Sequence, residues 1–299
     1  MFVCPITRER LTDGRSPEGR CYPSLDGVPV LVPDPERFLA RHGPGAWDTG
    51  HGLPTRQIED LPVDAPDPVT PHLPPSSLGG PGTFGRWIQS LGERCPDERC
   101  AKWGTELAPT GRALDVGCGV GPMARRMAMA GRQTWAFDRS PRAVLLARDL
   151  LMGRLRETVV PTHRGGLQKV RYPFKPISAR LLSFCVADAT QPPLPSGSFA
   201  WVHLGNVLDI ADETAGAILA ACVGLLQPGG LLTISTPYDS DDVGMLGGPG
   251  PEEELQGALT ALGLTVIDEE DQVPWVLRDY DRSFRVLFTH CLAARKAVR

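Results

Sequence analysis

The sequence predicts an α/β fold, a parallel sheet flanked by helices, behind a small β-rich N-terminal module. Three observations carry this. From about residue 84 short apolar runs alternate with stretches of helical spacing, the pattern of consecutive βαβ units. One of those runs ends in "DVGCGVGP", where an acid and three glycines at alternate positions open a helix. Nine prolines in the 38 residues Pro44 to Pro81 separate that region from what precedes it. At 299 residues the chain is long enough for about two domains with a sizeable core.

Taken in order, residues 1–40 form the small module: in "CYPSLDGVPVLVP" the pair Asp26-Gly27 stands between short apolar stretches, a hairpin signal. Residues 41–83 carry few large apolar side chains and read as an extended, proline-rich linker. Residues 84–299 are the main domain, opened by Phe84, Trp87, Ile88 and Leu91 at helical spacing. Its strands are "RALDVG", "TWAFD", "LLSFCVAD", "FAWVHLGN" and "LLTISTP", and its helices include "PMARRMAMA", "PRAVLLARDLLM" and "TAGAILAACVGLL". In the first of these helices Pro122 suits the opening position. Met123, Met127 and Ala130 face the sheet, Arg125 and Arg126 face water, and Gly131 ends the helix. "LTVIDEED" and "RVLFTHCLAAR" are two closing strands, antiparallel if adjacent.

Composition narrows the class. A net charge of −4 argues against a general affinity for nucleic acid or membrane. The eight cysteines are scattered, several inside apolar runs, as suits a reducing, cytoplasmic protein better than a disulfide framework. The N-terminus lacks the apolar core of a secretory signal, and no run is long enough to span a membrane.

Glycines at a strand-to-helix turn let a ligand approach the backbone and the helix N-terminus. A dinucleotide-binding loop and a ligand-free tight turn share that feature. Three further signals follow it. Asp138 ends the next strand, 21 residues after Gly117, where a carboxylate can hold a ribose diol. Asp188 ends the third strand, and "LLQPGGLLTIST" supplies a helix end, a Pro-Gly-Gly turn and a fifth strand.

Together these residues resemble the class I S-adenosylmethionine-dependent methyltransferases; "LDVGCGVG" is similar to their first motif. The resemblance implies a Rossmann-like, seven-stranded sheet with the last strand antiparallel, and S-adenosyl-L-methionine as cofactor. It places Asp115, Gly117, Cys118 and Gly119 along the methionine part, Asp138 and Arg139 at the ribose, and Asp188 and Ala189 at the adenine edge. A sulfonium methyl is already activated, so its transfer asks mainly for positioning, and no metal or Ser-His-Asp set is expected.

Ligands in open α/β sheets bind beyond the carboxyl ends of the strands, which puts Asn206, Asp209, Tyr238 and Asp239 at the crevice. Asn206 is assigned to the cofactor or an acceptor amide. Asp209 or Tyr238 is suited to accept a proton or orient a nitrogen nucleophile; capping the next helix and simple packing are their alternatives. "NVLD", "TPY" and "WVLR" resemble the methyltransferase arm of ovothiol-synthase-like proteins, which methylate a ring nitrogen of a thiol-bearing histidine. Arg278 then pairs with a substrate carboxylate or makes a structural ion pair, and His290 reads as core. The segment 154–180 carries seven Lys/Arg against one acid, with Tyr172 and Phe174, and reads as a basic insertion: a lid, an RNA contact or a solvated face. "CPITRERL" and "YPSLDGVPVL" resemble a small zinc-ribbon module, here degenerate because only Cys4 and Cys21 remain. The expected function is methyl transfer to a nitrogen or sulfur nucleophile of a small-molecule, amino-acid-like or peptide acceptor. An RNA methyltransferase and a non-catalytic cofactor-binding scaffold are the alternatives.

Overall fold

The computed structural model describes residues 2–41, 83–155, 157–163, 166–171, 175–211, 214–239, 250–280 and 283–298. The proline-rich interval therefore lies outside the described residues except at its two ends, as do Tyr172 and Phe174. Strands β1 (Ser24–Leu25), β2 (Val28–Leu31), β3 (Ala113–Val116), β4 (Thr134–Asp138), β7 (Leu182–Ala187), β8 (Phe199–Gly205), β9 (Leu226–Thr236), β10 (Leu264–Tyr280) and β11 (Ser283–Lys296) make one sheet in the order β1-β2-β7-β4-β3-β8-β9-β11-β10. Strands β5 (Glu157–His163) and β6 (Gly166–Arg171) form a separate antiparallel hairpin within the basic insertion. Helices α1 (Pro35–Arg41), α2 (Thr83–Gly92), α3 (Pro96–Leu107), α4 (Pro122–Met129), α5 (Pro141–Leu151), α6 (Ala215–Leu225) and α7 (Pro251–Ala261) complete the fold.

The sheet has nine strands rather than the seven expected. The extra pair is the hairpin around Asp26-Gly27: β2 lies parallel to β7, with Val30 opposite Val186 and Leu31 opposite Ala187. Without it β7 would be an open edge, and an unpaired apolar edge is a site of aggregation. Docking there gives residues 2–41 a core shared with the sheet. Cys4, Tyr22 and Leu31 pack with Phe137, Cys185 and Leu194, while Leu25, Val28 and Val30 pack with Val144 and Val186. Cys4 is buried, its Sγ accepting from Thr7 N–H at 3.4 Å and 3.0 Å from the Tyr22 hydroxyl; Cys21 is exposed.

Chain order and sheet order diverge at β3. The chain steps from β3 to β4 on one side and, after β7, returns to β8 on the other, which opens a crevice at the carboxyl ends of β3 and β8. At the far side β11 enters between β9 and β10, antiparallel to both. The strand expected at "LTVIDEED" is β10, and it continues through the residues after Asp271 to Tyr280. As the outer strand, β10 leaves Glu269 and Asp271 exposed while Val273 and Val276 turn inward.

The β10–β11 pair extends past the end of β9, whose last residue, Thr236, is opposite His290. Val276, Phe284 and Val286 of that extension pack with Ile88 of α2, Leu146 and Leu150 of α5, and Val120 of the glycine loop. This apolar cover lies over the loop that the sequence marks for a ligand. Beside α4, α3 approaches the sheet so closely that a Cβ on Gly104 would fall 2.0 Å from the Trp201 ring. Arg126 does not face water as its spacing implies. It bonds to Glu98 through Nε and Nη2 and to the Pro122 carbonyl, tying α4 to α3.

One buried cation holds the added hairpin. Arg148 of α5 is 4% exposed and donates to both the carbonyl and the carboxylate of Asp26, and also bonds to Asp149. Replacing it strands those acceptors in a poorly solvated place. We expect Arg148→Met to cost about 3 kcal/mol, read as a lower urea midpoint at unchanged m-value. A loss under about 0.5 kcal/mol, the size of an ordinary surface change, would mean that the bonds to the hairpin contribute nothing.

Candidate functional site

The crevice begins where β3 ends. Gly117 has φ +68°, Gly119 φ +51° and Gly121 φ +82°, the left-handed region that side chains resist. At two of these positions space is also missing. A Cβ on Gly117 would lie 2.3 Å from Val207 Cγ2, and one on Gly121 would lie 2.8 Å from Leu151 Cδ1. Gly121 caps α4 and Pro122 opens it. Asp115, buried in β3, accepts the Ala124 N–H at 2.8 Å in the first turn of α4. Burial, then the charges of Asp97 and Asp138, push its carboxyl well above the usual range, against the pull of that N–H. Cys118 is buried and its N–H bonds to the Phe137 carbonyl at 3.0 Å.

Asp138 closes β4 beside this loop. One oxygen accepts Gly119 N–H at 2.9 Å and the other accepts Ser140 N–H at 2.8 Å, so two backbone bonds fix the plane of its carboxylate. Arg139 is largely exposed, its Nε 4.0 Å from Asp188 Oδ2. Asp188 follows β7 and accepts from the Thr190 N–H at 2.9 Å and hydroxyl at 2.7 Å, with Ala189 half-buried beside it. The structure therefore lines up Asp115, the glycine loop, Asp138 and Asp188 along the ends of three neighbouring strands, β3, β4 and β7.

Beyond β8 and β9 the chain takes two unusual conformations. Asn206 (φ +51°) and Tyr238 (φ +55°) both adopt left-handed backbone without being glycine, a strain that clusters at functional sites. Asn206 is clamped to β9: its N–H bonds to the Ser235 carbonyl at 2.7 Å, and its Oδ1 accepts from the Ser235 hydroxyl at 3.1 Å. Asp209 lies in a 3-10 turn, Leu208–Ile210. It does not cap α6, which begins at Ala215. The residue is only 7% exposed, and its Oδ1 is buried without a hydrogen-bond partner among the described residues. Burial, with Asp239 nearby, raises its carboxyl to about 6.

Tyr238 does not simply pack with a wet hydroxyl. Its oxygen is 2.7 Å from His290 Nδ1, and His290 Nε2 is 3.3 Å from Glu269 Oε2. His290 is buried, as its place in a strand implies, but it is a polar link and not inert core. The sequence carries no signal for this, because the contact depends on β11 pairing with β9 across more than fifty residues. Arg278 lies within β10 opposite Phe284; its side chain is outside the described set. Among the described residues no group of His, Cys, Asp and Glu could hold a metal, and no helix is long and apolar enough to cross a membrane.

Residues 87–273 match the family described as "Methyltransferase domain". A ubiquinone biosynthesis O-methyltransferase of Xanthomonas euvesicatoria pv. vesicatoria is 35% identical over 126 residues, 42% of this chain and 42% of that protein. One from Xanthomonas campestris pv. campestris is 35% identical over 128 residues, 43% and 44% of the two chains. The chain thus spans less than half the length of these curated relatives. Among solved structures, the [4+2]-cyclase SpnF is 20% identical with a TM-score of 0.49, covering 74% of this chain and 84% of its own. The magnesium protoporphyrin IX methyltransferase of Synechocystis PCC 6803, solved with its cofactor, is 18% identical with a TM-score of 0.47, at 73% and 86% coverage.

Bare backbone at Gly117–Gly121 and a carboxylate oriented at the end of β4 fit S-adenosylmethionine, whose two ends need an unobstructed loop and a partner for a ribose diol. Calorimetry checks the fit. Asp138→Ala removes an acceptor of charge-assisted hydrogen bonds, each contributing about 1.5–3 kcal/mol. The expected result is a dissociation constant for S-adenosylhomocysteine weakened by about 100-fold; an unchanged constant would remove Asp138 from the site.

Proposed function

The chain belongs to the methyltransferase-domain family, and from that premise we propose that it moves the methyl group of S-adenosylmethionine onto a nitrogen or sulfur nucleophile of a small, amino-acid-like or peptide acceptor, nitrogen foremost. The observation that carries the choice is Asp209: a carboxylate nine-tenths buried, with one oxygen lacking a donor, at the lip of the β8 strand. A buried acceptor without a partner is costly, and an incoming N–H would satisfy it. The surroundings favour the same class. Asp239 adds negative potential at Asp209, and Glu252, Asp271, Glu269 and Glu253 add it at Tyr238. An acidic crevice concentrates cationic amines over anionic nucleophiles.

When bound, S-adenosylmethionine supplies a methyl already activated by its sulfonium charge, so the residues have to orient and deprotonate. Asp115, Gly117, Cys118 and Gly119 would hold the methionine part, Asp138 and Arg139 the ribose, and Asp188 and Ala189 the adenine, with Asn206 between cofactor and acceptor. Asp209 would take the acceptor's N–H, Tyr238 would orient the nitrogen, and Arg278 would meet a carboxylate at the acceptor's other end. The apolar cover of Ile88, Leu150, Val276 and Phe284 over Val120 supports exclusion of water from the transfer.

The test is S-adenosylhomocysteine formation with L-histidine, histamine, L-cysteine and catechol as probes, products read as a 14 Da gain (one methyl for one hydrogen, about 14 Da). Turnover of amine or thiol supports the reading, and methylation of catechol alone overturns it in favour of oxygen.

Asp209 also sets a pH dependence. Its carboxyl titrates near 6 instead of 3.8, so the ionised form needed to hold an amine is lost as pH falls through about 6, and turnover should drop there. Stability runs the other way. An acid whose folded value is raised contributes stability that is complete below about 3.8 and lost as pH climbs through about 6. Asp209→Asn should therefore raise the unfolding midpoint of the cofactor-free protein at pH 7.5 while lowering turnover at least tenfold. A variant that is both less stable and equally active would refute the role.

A further inference from the structure

Three side chains that the proposed chemistry does not yet use together are joined in a line. Tyr238 comes from the turn after β9, His290 from β11 and Glu269 from β10. The Tyr238 oxygen lies 2.7 Å from His290 Nδ1, and His290 Nε2 lies 3.3 Å from Glu269 Oε2. Gln256 of α7 donates to the same Glu269 oxygen at 3.1 Å. His290 is 4% exposed, whereas the Glu269 side chain is 48% exposed. The line therefore leads from Tyr238, in the turn at the carboxyl end of β9, through buried His290 to the half-exposed Glu269.

The partners fix the direction of each hydrogen. An ionised carboxylate only accepts, so the imidazole nitrogen facing Glu269 carries the N–H. In neutral His290 the other nitrogen, Nδ1, is then bare and takes the phenolic hydrogen of Tyr238. That leaves the Tyr238 oxygen with lone pairs to accept a hydrogen from a bound acceptor. The backbone gives a second reason to read the tyrosine as placed for its side chain. At φ +55° glycine would be the relaxed choice, yet an aromatic residue is held there, its N–H bonded to Thr236 Oγ1 at 3.2 Å.

We propose that His290 and Glu269 are positioning residues that make Tyr238 the outlet for the proton an amine acceptor must lose before methyl transfer, an inference that rests on the reading of Tyr238 as an acceptor-side residue. The acceptor's N–H bond breaks and its proton joins the Tyr238 oxygen. The phenolic O–H breaks in the same event and its proton joins His290 Nδ1. The resulting imidazolium faces the Glu269 carboxylate and later releases a proton to solvent. The neutral nitrogen then uses its lone pair to bond the methyl carbon, and the carbon–sulfur bond pair returns to sulfur.

Tyrosine alone would be a poor base here. Burial, followed by the negative charges of Glu252 and Glu253 on α7 and of Asp271 and Glu269 on β10, holds its phenol well above the ordinary value. A free tyrosinate is therefore disfavoured, and the residue can take a proton only by passing on its own. Glu269, 3.3 Å from His290 Nε2, faces the imidazolium that forms.

Two measurements on the full chain test this. Long-range proton–nitrogen correlation spectra should show the Nε2–H tautomer of His290; the Nδ1–H tautomer overturns the relay without any acceptor being known. Kinetics should use histamine, or whichever probe is methylated. His290→Gln and Tyr238→Phe should each lower kcat by about 100-fold, the scale of lost general acid–base catalysis, with KM for S-adenosylmethionine unchanged. Should His290→Gln fail to fold, Glu269→Gln replaces a half-exposed residue and should lose about tenfold. Unaltered kcat in these variants, with normal S-adenosylhomocysteine affinity, overturns the proposal. Failure of every probe to be methylated would defeat the amine reading, while the spectrum would still decide the geometry of the line.

Discussion

Between β3 and α4 the backbone passes through space that no side chain can share. Val207 closes it from the end of β8 and Leu151 from the end of α5, and the chain answers with glycines at positive φ. Much else follows from that passage. It brings the first turn of α4 down onto Asp115, and it presents the Gly119 N–H to Asp138. It also leaves main chain rather than side chain facing the crevice. A methyl group on either Gly117 or Gly121 would displace the loop from neighbours belonging to separate elements, so the site depends on packing as much as on the turn.

A polar row crosses the middle of the sheet beneath that loop. Asp115 of β3 is in register with His203 of β8, and His203 with Thr233 of β9. The Thr233 hydroxyl oxygen accepts from Trp201 Nε1 at 2.9 Å and lies 3.0 Å from His203 Nδ1. Burial pushes the two titratable members in opposite directions, Asp115 well up and His203 down to about 4. Each is displaced toward its neutral form, which spares the sheet the large cost of isolated buried charge. With the backbone hydrogen bond to Ala124 supporting it, Asp115 can then serve as a fixed hydrogen-bonding post under the helix N-terminus.

What was legible in the sequence is what is local. Strand and helix alternation, the glycine turn, Pro122 and Gly131 at the two ends of α4, and acids at the ends of β4 and β7 each depend on a few adjacent residues, and the structure puts them where periodicity and turn chemistry place them. Distant pairing was not legible. Nothing near "VPVL" specifies that it docks on β7, nothing near Arg126 announces Asp97 and Glu98, and nothing in "FTHCL" says that Tyr238 lies opposite. The charges of "LTVIDEED" did not hide its strand, because an outer strand can carry charge; what was not legible is that the strand runs on to Tyr280. At the crevice the residue types could be chosen from the sequence, but the bond between Tyr238 and His290 arises only once β11 lies against β9.

The docking of β2 on β7 has a kinetic side. Val30 meets Val186, partners separated by well over a hundred residues, so this pairing joins a hairpin made early to a strand from the middle of the chain. Contacts so distant in sequence raise the contact order and slow folding. During translation the early hairpin has no edge to rest on until the third parallel strand of the main sheet has emerged. Its apolar face, Leu25, Val28 and Val30, stays uncovered for that interval, and such surfaces attract chaperones or misassemble. Assembly of this protein is thereby timed by its middle, since β2 finds its place only once β7 exists.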